Sequence, residues 1–109
     1  MALLDDSHKT LENVVVLHLV QSMLGLVGPT LNAVAAEVTP AGLVVHFAFS
    51  TIGEAEREDV EDVIGDLDAL LDNETLPARW PITSELYVGG ADEGWPGIGA
   101  RRVFETKRT

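Results

Sequence analysis

Apolar residues recur along this chain with two different periods, and the switches between them mark out its elements. Val60, Val63, Ile64, Leu67, Leu70 and Leu71 follow one another at steps of three and four, the spacing of a helix with one buried stripe. Leu31 to Val38 and Leu43 to Phe49 read as two strands joined by Thr39-Pro40-Ala41-Gly42. Proline at the first corner and glycine at the last suit a tight hairpin turn. In the second strand Leu43, Val45, Phe47 and Phe49 share a face that should meet the core, and Val44, His46 and Ala48 take the other. After Leu76-Pro77 a third strand, Ile82 to Val88, sets Ile82, Ser84, Leu86 and Val88 against Thr83, Glu85 and Tyr87. A fourth, Arg101 to Lys107, sets Arg102, Phe104 and Thr106 against Arg101, Val103 and Glu105.

The leading segment is harder to classify. From Val14 to Val20 it is β-branched and apolar almost all round, so a strand is a live alternative there. The pattern continues through Gln21, Ser22, Met23 and Leu24, longer than an ordinary strand, and a helix from about Ser7 to Val27 is preferred. Asp6 or Ser7 would cap it and Gly28-Pro29 would end it. A helix apolar on every side is expected to be buried on more than one, within the fold or against a second subunit. Before the acidic helix, Thr51-Ile52-Gly53-Glu54 matches a capping box. The order α-β-β-α-β-β predicts an α+β fold: one two-layer domain over residues 1–109, a four-stranded, mainly antiparallel sheet with both helices on one face.

Composition narrows the function classes. At 109 residues, 46% hydrophobic and 23% charged, the chain reads as one globular domain. It has no cysteine, which removes thiol chemistry, disulfides and cysteine-based metal sites and fits a reducing cytoplasm. Met1 to Asp6 carries acids and no basic stretch, unlike a secretory signal. Val14 to Val27 is interrupted by His18, Gln21 and Ser22 and is too short to span a bilayer.

Charge changes the picture most. The net charge is −11, which disfavours nucleic acid and anionic membrane as partners. Glu54 to Glu74 holds ten carboxylates against one base, Arg57, and so contributes −9 to that net charge. On a helical wheel Glu54, Glu58, Glu61, Asp62 and Asp72 point away from the apolar stripe. Like charges four residues apart, such as Glu58 and Asp62, each cost the helix a few tenths of a kcal/mol. A solubilising surface would do as well with mixed signs at less repulsion; a surface for a cationic partner would not.

The loop from Gly89 to Gly99 is glycine-rich, but no Lys-Ser/Thr and no helix start follow it, and Asp92-Glu93 would repel phosphate. It reads as a long connection with Trp95 folded onto the core. Because tryptophan is enriched at interface hot spots, Trp95 is also a candidate anchor for a partner. Catalytic and metal patterns do not emerge. His8, His18 and His46 have no ligand spacing, Asp66-Leu67-Asp68 lacks the glycine and final glutamate of a calcium loop, and Ser22, Ser50 and Ser84 sit in no nucleophile elbow. The expectation is a protein that is not an enzyme and uses no cofactor or metal.

Four stretches together resemble a known family. They are the apolar leading helix, Gly28-Pro29-Thr30-Leu31-Asn32-Ala33-Val34 entering a hairpin, the acidic run Glu54 to Asp62, and the basic end Arg101 to Arg108. The layout is similar to that of small immunity proteins encoded beside bacterial polymorphic or contact-dependent growth inhibition toxins. That resemblance implies a cytoplasmic binding protein that blocks a cognate toxin domain and carries no catalytic residues. The acidic helix makes a nuclease the natural target, since carboxylates can occupy the places of phosphates in a cationic groove. The partner-binding residues expected are Glu54, Glu58, Glu61, Asp62, Asp68, Asp72 and Trp95. The alternative is a homodimer through the first helix, structural or small-ligand-binding, with the acids serving solubility alone.

Overall fold

The computed structural model describes residues 13–23, 28–71 (backbone alone for 70 and 71) and 81–105. Helix α1 spans 13–22 and leads through Gly28-Pro29-Thr30 into strand β1, Leu31–Thr39. Strand β2 is Gly42–Phe49, helix α2 is Glu54–Leu71, strand β3 is Ile82–Val88 and strand β4 is Arg101–Glu105. The α+β reading and the element order therefore hold.

The sheet runs β3-β2-β1-β4. The pairings of β1 with β2 and β4 are antiparallel, whereas β3 lies parallel to β2, so the sheet is mixed. The reason is the crossover: a helix leaving β2 and returning the chain to the same sheet edge delivers β3 in the same direction.

The β1–β2 hairpin closes on Thr39 and Gly42. The Thr39 hydroxyl accepts from the backbone N–H groups of Ala41 and Gly42 and donates to the Gly42 carbonyl, which satisfies the corner without a longer loop. Gly42 has φ near 147°, and a β-carbon there would stand 2.4 Å from the Pro81 carbonyl oxygen. That carbonyl accepts from Leu43 N–H at 2.8 Å, fixing the start of β3 beside the start of β2.

One sheet face carries Leu31, Val34, Ala36, Leu43, Val45, Phe47 and Phe49, packed against Val15, Leu19 and Met23 of the first helical segment and Val60, Val63 and Leu67 of α2. Both helices cover this face, as the pattern predicts. Helix α1 is not buried all round, however. Leu17 is 70% exposed and Val20 44%, so among the described residues the chain itself covers a single stripe of this helix. Ser22 is buried in that stripe because its hydroxyl donates to the His18 carbonyl one turn back.

Two bulges break the simple alternation. In β1 the register shifts between Leu31 and Ala33, moving Val34 and Ala36 onto the helix face and Ala33 and Ala35 onto the other. In β4 the shift opposite Val34 and Ala35 sends Phe104 to the helix side and sets Arg102 opposite Ala35, so Phe104 and Arg102 do not share a face as strict alternation predicts.

The second face is closed by the chain between β3 and β4. These strands occupy opposite edges, so residues 89–100 must cross the sheet. Trp95 lies on a platform of Ala33, Ala35 and Ala48, 1% exposed. Three consecutive turns order this strap, from Asp92 to Trp95, Trp95 to Ile98 and Gly97 to Ala100. The Tyr87 hydroxyl donates to Asp92, which also accepts from Gly94 N–H. Gly97 has no room for a side chain, because a β-carbon would meet Trp95 and His46 at 2.6–2.7 Å.

Candidate functional site

The candidate surface is built by the register of α2 on the sheet. With Val60, Val63 and Leu67 fixed in the core, the 3.6-residue period turns Glu54, Glu58, Glu61, Asp62, Asp66 and Asp68 outward, and all six are exposed. From Glu54 to Asp68 they form an anionic band ~21 Å long at 1.5 Å per residue. Arg57 is exposed among them, and the last turn contains no basic residue to offset the helix dipole. Gly65 opens onto space, with nothing within 4 Å of where its β-carbon would be.

The start of the helix is held by Glu56. Its carboxylate accepts from Gly53 N–H at 2.8 Å and from the Thr30 hydroxyl at 3.0 Å. The capping box expected at Thr51 and Glu54 is therefore displaced by two residues. Gly53 takes the cap position and Glu56 reaches back to it, while the hydroxyl comes from Thr30, at the entrance to β1. The Gly53 N–H, then the Thr30 hydroxyl and the Glu56 N–H, hold this carboxyl below its ordinary range. Glu54 stays free to join the outward band.

The structure brings Glu54, Glu58, Glu61, Asp62 and Asp68 onto one exposed face. Asp72 lies outside the described residues. Trp95 does not belong with them. It is buried on the sheet face opposite the helices, so it cannot anchor a partner resting on α2. The physical reason is the strap, which carries it away from α2 and lays it over a patch of alanines too small to fill that side alone.

A second grouping escapes the sequence reading. On the strap side of the sheet Glu85 of β3 stands directly opposite His46 of β2, and Glu37 of β1 reaches the same histidine diagonally, two residues along from its register partner Ala35. His46 Nε2 lies 2.9 Å from Glu37 and Nδ1 lies 3.6 Å from Glu85. Only the strand register makes them neighbours; a parallel β2–β3 pairing had to be known to place Glu85 beside His46. Among the described residues, no group of three or more His, Cys, Asp or Glu side chains is arranged to hold a metal, and no helix is long and apolar enough to cross a membrane. A scan against protein-family models and a search of curated proteins find no match for this chain.

Proposed function

We propose that this chain is an inhibitory binding protein that holds a cationic partner against the outward face of α2, as an immunity protein holds its toxin. The single observation that carries the reading is the run of six exposed carboxylates on that face, from Glu54 to Asp68. Like-charged pairs at Glu54–Glu58, Glu58–Asp62 and Asp62–Asp66 each weaken the helix by a few tenths of a kcal/mol. A mixed-sign surface would keep the protein in solution without that cost. The partner is a bacterial toxin domain with a phosphate-binding groove, a nuclease, whose basic residues the carboxylates engage in place of phosphates. The inhibitor works in the cytoplasm by occupancy, with no turnover, cofactor or metal of its own.

The test is a charge-neutralised variant carrying Glu58→Gln, Glu61→Gln, Asp62→Asn and Asp68→Asn, measured against the toxin domain encoded immediately upstream. Its melting temperature should match or exceed the parent's. Its affinity should fall, and most of the salt dependence of binding should go with it. Unchanged affinity and no salt dependence in the parent would return the acids to a solubilising role.

A second reading is favoured by a different observation. Leu17 and Val20 are exposed on α1 at 70% and 44%, a pair of apolar side chains suited to the seam of a homodimer. In that case self-association through α1 is the main interaction of the chain.

A further inference from the structure

The two edges of the sheet are finished differently. Strand β4 is five residues long, has a register shift opposite Val34 and Ala35, and carries Arg101, Arg102 and Glu105, all features that discourage a further strand. Strand β3, at the other edge, is seven residues long and pairs with β2 without a break in register. It contains no proline and a single charge, Glu85. An edge left in this condition is a template for one more strand.

The ladder fixes which groups that edge offers. The Pro81 carbonyl accepts from Leu43 N–H and Gly89 N–H donates to the Phe49 carbonyl, both at 2.8 Å. The odd-numbered residues of β3 therefore turn their backbone groups inward to β2. Ile82, Ser84, Leu86 and Val88 aim N–H and C=O away from the sheet, and among the described residues no backbone group of another segment meets them. Their side chains lie on the helix face, where Val88 is 60% exposed. Thr83, Glu85 and Tyr87 lie on the strap face, and the Glu85 side chain is 58% exposed there, beside His46.

Charge selects the occupant. Asp59 shares a recess with Met23, at the end of α1, so that flank of α2 looks toward the first helix. Glu61 and Asp68 stand about 200° and about 180° from Asp59 around the helix, on the flank above β3, and both are exposed. Arg57 lies on the same flank and offsets one of the two. With Glu85 on the other face, the edge is negative on both sides. A second copy is disfavoured: pairing β3 with itself over its full length sets Glu85 against Glu85 at a close, non-hydrogen-bonded position, between chains of net charge −11. We propose that the β3 edge accepts an extended basic segment of a protein partner as a fifth strand. Its backbone pairs with Ser84, Leu86 and Val88, a lysine or arginine stands beside Glu85 on the strap face, and an apolar residue covers Val88 on the helix face. No toxin is required, and the backbone edge rather than the outward face of α2 makes the contact. The inference thus goes beyond the acidic-face reading, and either can fail alone.

The probe is a cyclic β-hairpin peptide whose free edge reads Val-Thr-Val-Lys-Val-Thr-Val and whose other edge is N-methylated to stop it pairing with itself. In a ¹H–¹⁵N titration of the full chain, the Ser84, Leu86 and Val88 amides should shift saturably. Their hydrogen exchange should slow at least about tenfold as their N–H groups acquire partners. N-methylating the free edge should abolish both effects, a test that leaves the protein unchanged. Glutamate in place of the lysine should weaken binding at least about threefold, and Glu85→Lys, at an exposed position, should remove that preference. Ser84→Pro removes one outward N–H without touching the ladder to β2, and should weaken the lysine probe about tenfold in a protein whose spectrum stays folded. The assignment is overturned by β3 amides that do not respond, by a fully N-methylated probe that binds as tightly, or by equal binding of the lysine and glutamate probes to the parent. It is equally overturned by a dimer of the chain alone that Ser84→Pro dissolves, which would give the edge to a second copy.

Discussion

The guanidinium of Arg102 lies 5.2 Å from the centre of the Trp95 ring, on the sheet face opposite the one the helices cover. It arrives there from β4, the last strand, and is held at its other side by Glu105. The side chain thus covers an aromatic ring that itself covers three alanines, and a face built of small residues becomes a second, minor core. Arg102 contributes its stem as packing and its charge to the ring quadrupole.

Truncating this arrangement should be felt in stability in a graded way. Trp95→Ala is expected to cost ~3–5 kcal/mol, the range for removing a buried large aromatic. Arg102→Ala should cost about 0.5–2 kcal/mol, according to how dry the stacked pair is. Urea denaturation of both variants checks the order. Equal, small losses would mean that the strap closes the face without relying on the indole.

Two glycines should respond to alanine with opposite signs. Gly42→Ala places a side chain at φ near 147° and against the Pro81 carbonyl, so a loss of about 1–3 kcal/mol is expected. Gly65→Ala meets nothing and should stabilise α2 by ~0.5–1 kcal/mol. Thermal melts of the pair measure both.

Glu56 should give the fold an acid-sensitive joint. Its carboxyl is held below the ordinary range mainly by Gly53 N–H, then by the Thr30 hydroxyl. A depressed folded value means its stabilisation is fully present above the ordinary carboxylate range. That stabilisation is lost as the pH falls through the lower folded value. Glu56→Gln should therefore flatten part of the decline of melting temperature with acidification and leave the neutral-to-alkaline limb unaltered in shape. A parallel decline in both proteins would show that this carboxylate does not couple to folding.

The exposed pair on α1 separates the two functional readings. Leu17→Glu should change monomer stability by no more than about 0.5 kcal/mol, as at other open surface positions. If α1 is a dimer seam, the parent should sediment as a dimer at low micromolar concentration and Leu17→Glu as a folded monomer. Monomers in both cases leave the face of α2 as the interface.

What the sequence makes legible here is whatever depends on a residue's own neighbours. The period of Val60, Val63 and Leu67 places α2 and sends Glu58, Glu61 and Asp62 outward. The alternation of Leu43, Val45, Phe47 and Phe49 selects the core face of β2. What is not legible depends on partners far along the chain. The bulge beside Asn32 exists because Leu31 faces Phe49 while Ala33 faces Ala48, and no local pattern around Asn32 announces it. Asn32 turns instead to the strap, donating to the Gly89 carbonyl and accepting from Ser50. The displaced cap is similar: Thr51 and Glu54 satisfy the local motif, but Thr30 is the hydroxyl in reach of the helix start. Glu85 meets His46 only because β3 runs parallel to β2.

The strap also sets an order of events in time. The hairpin of β1 and β2 closes over a two-residue corner, whereas β4 must find β1 from the far end of the chain, pairing Glu105 with Ala33. Local closures are cheap in chain entropy and distant ones are not, so the fourth strand should be the last to arrive. Until it does, β1 presents an open edge and Trp95 has only half of its surroundings, a state in which edge-to-edge association between chains competes with completion. In a Trp80→Phe background, stopped-flow refolding should show the Trp95 emission settling in the slowest resolved phase. The amplitude of that phase should fall as protein concentration rises and association diverts the unfinished sheet.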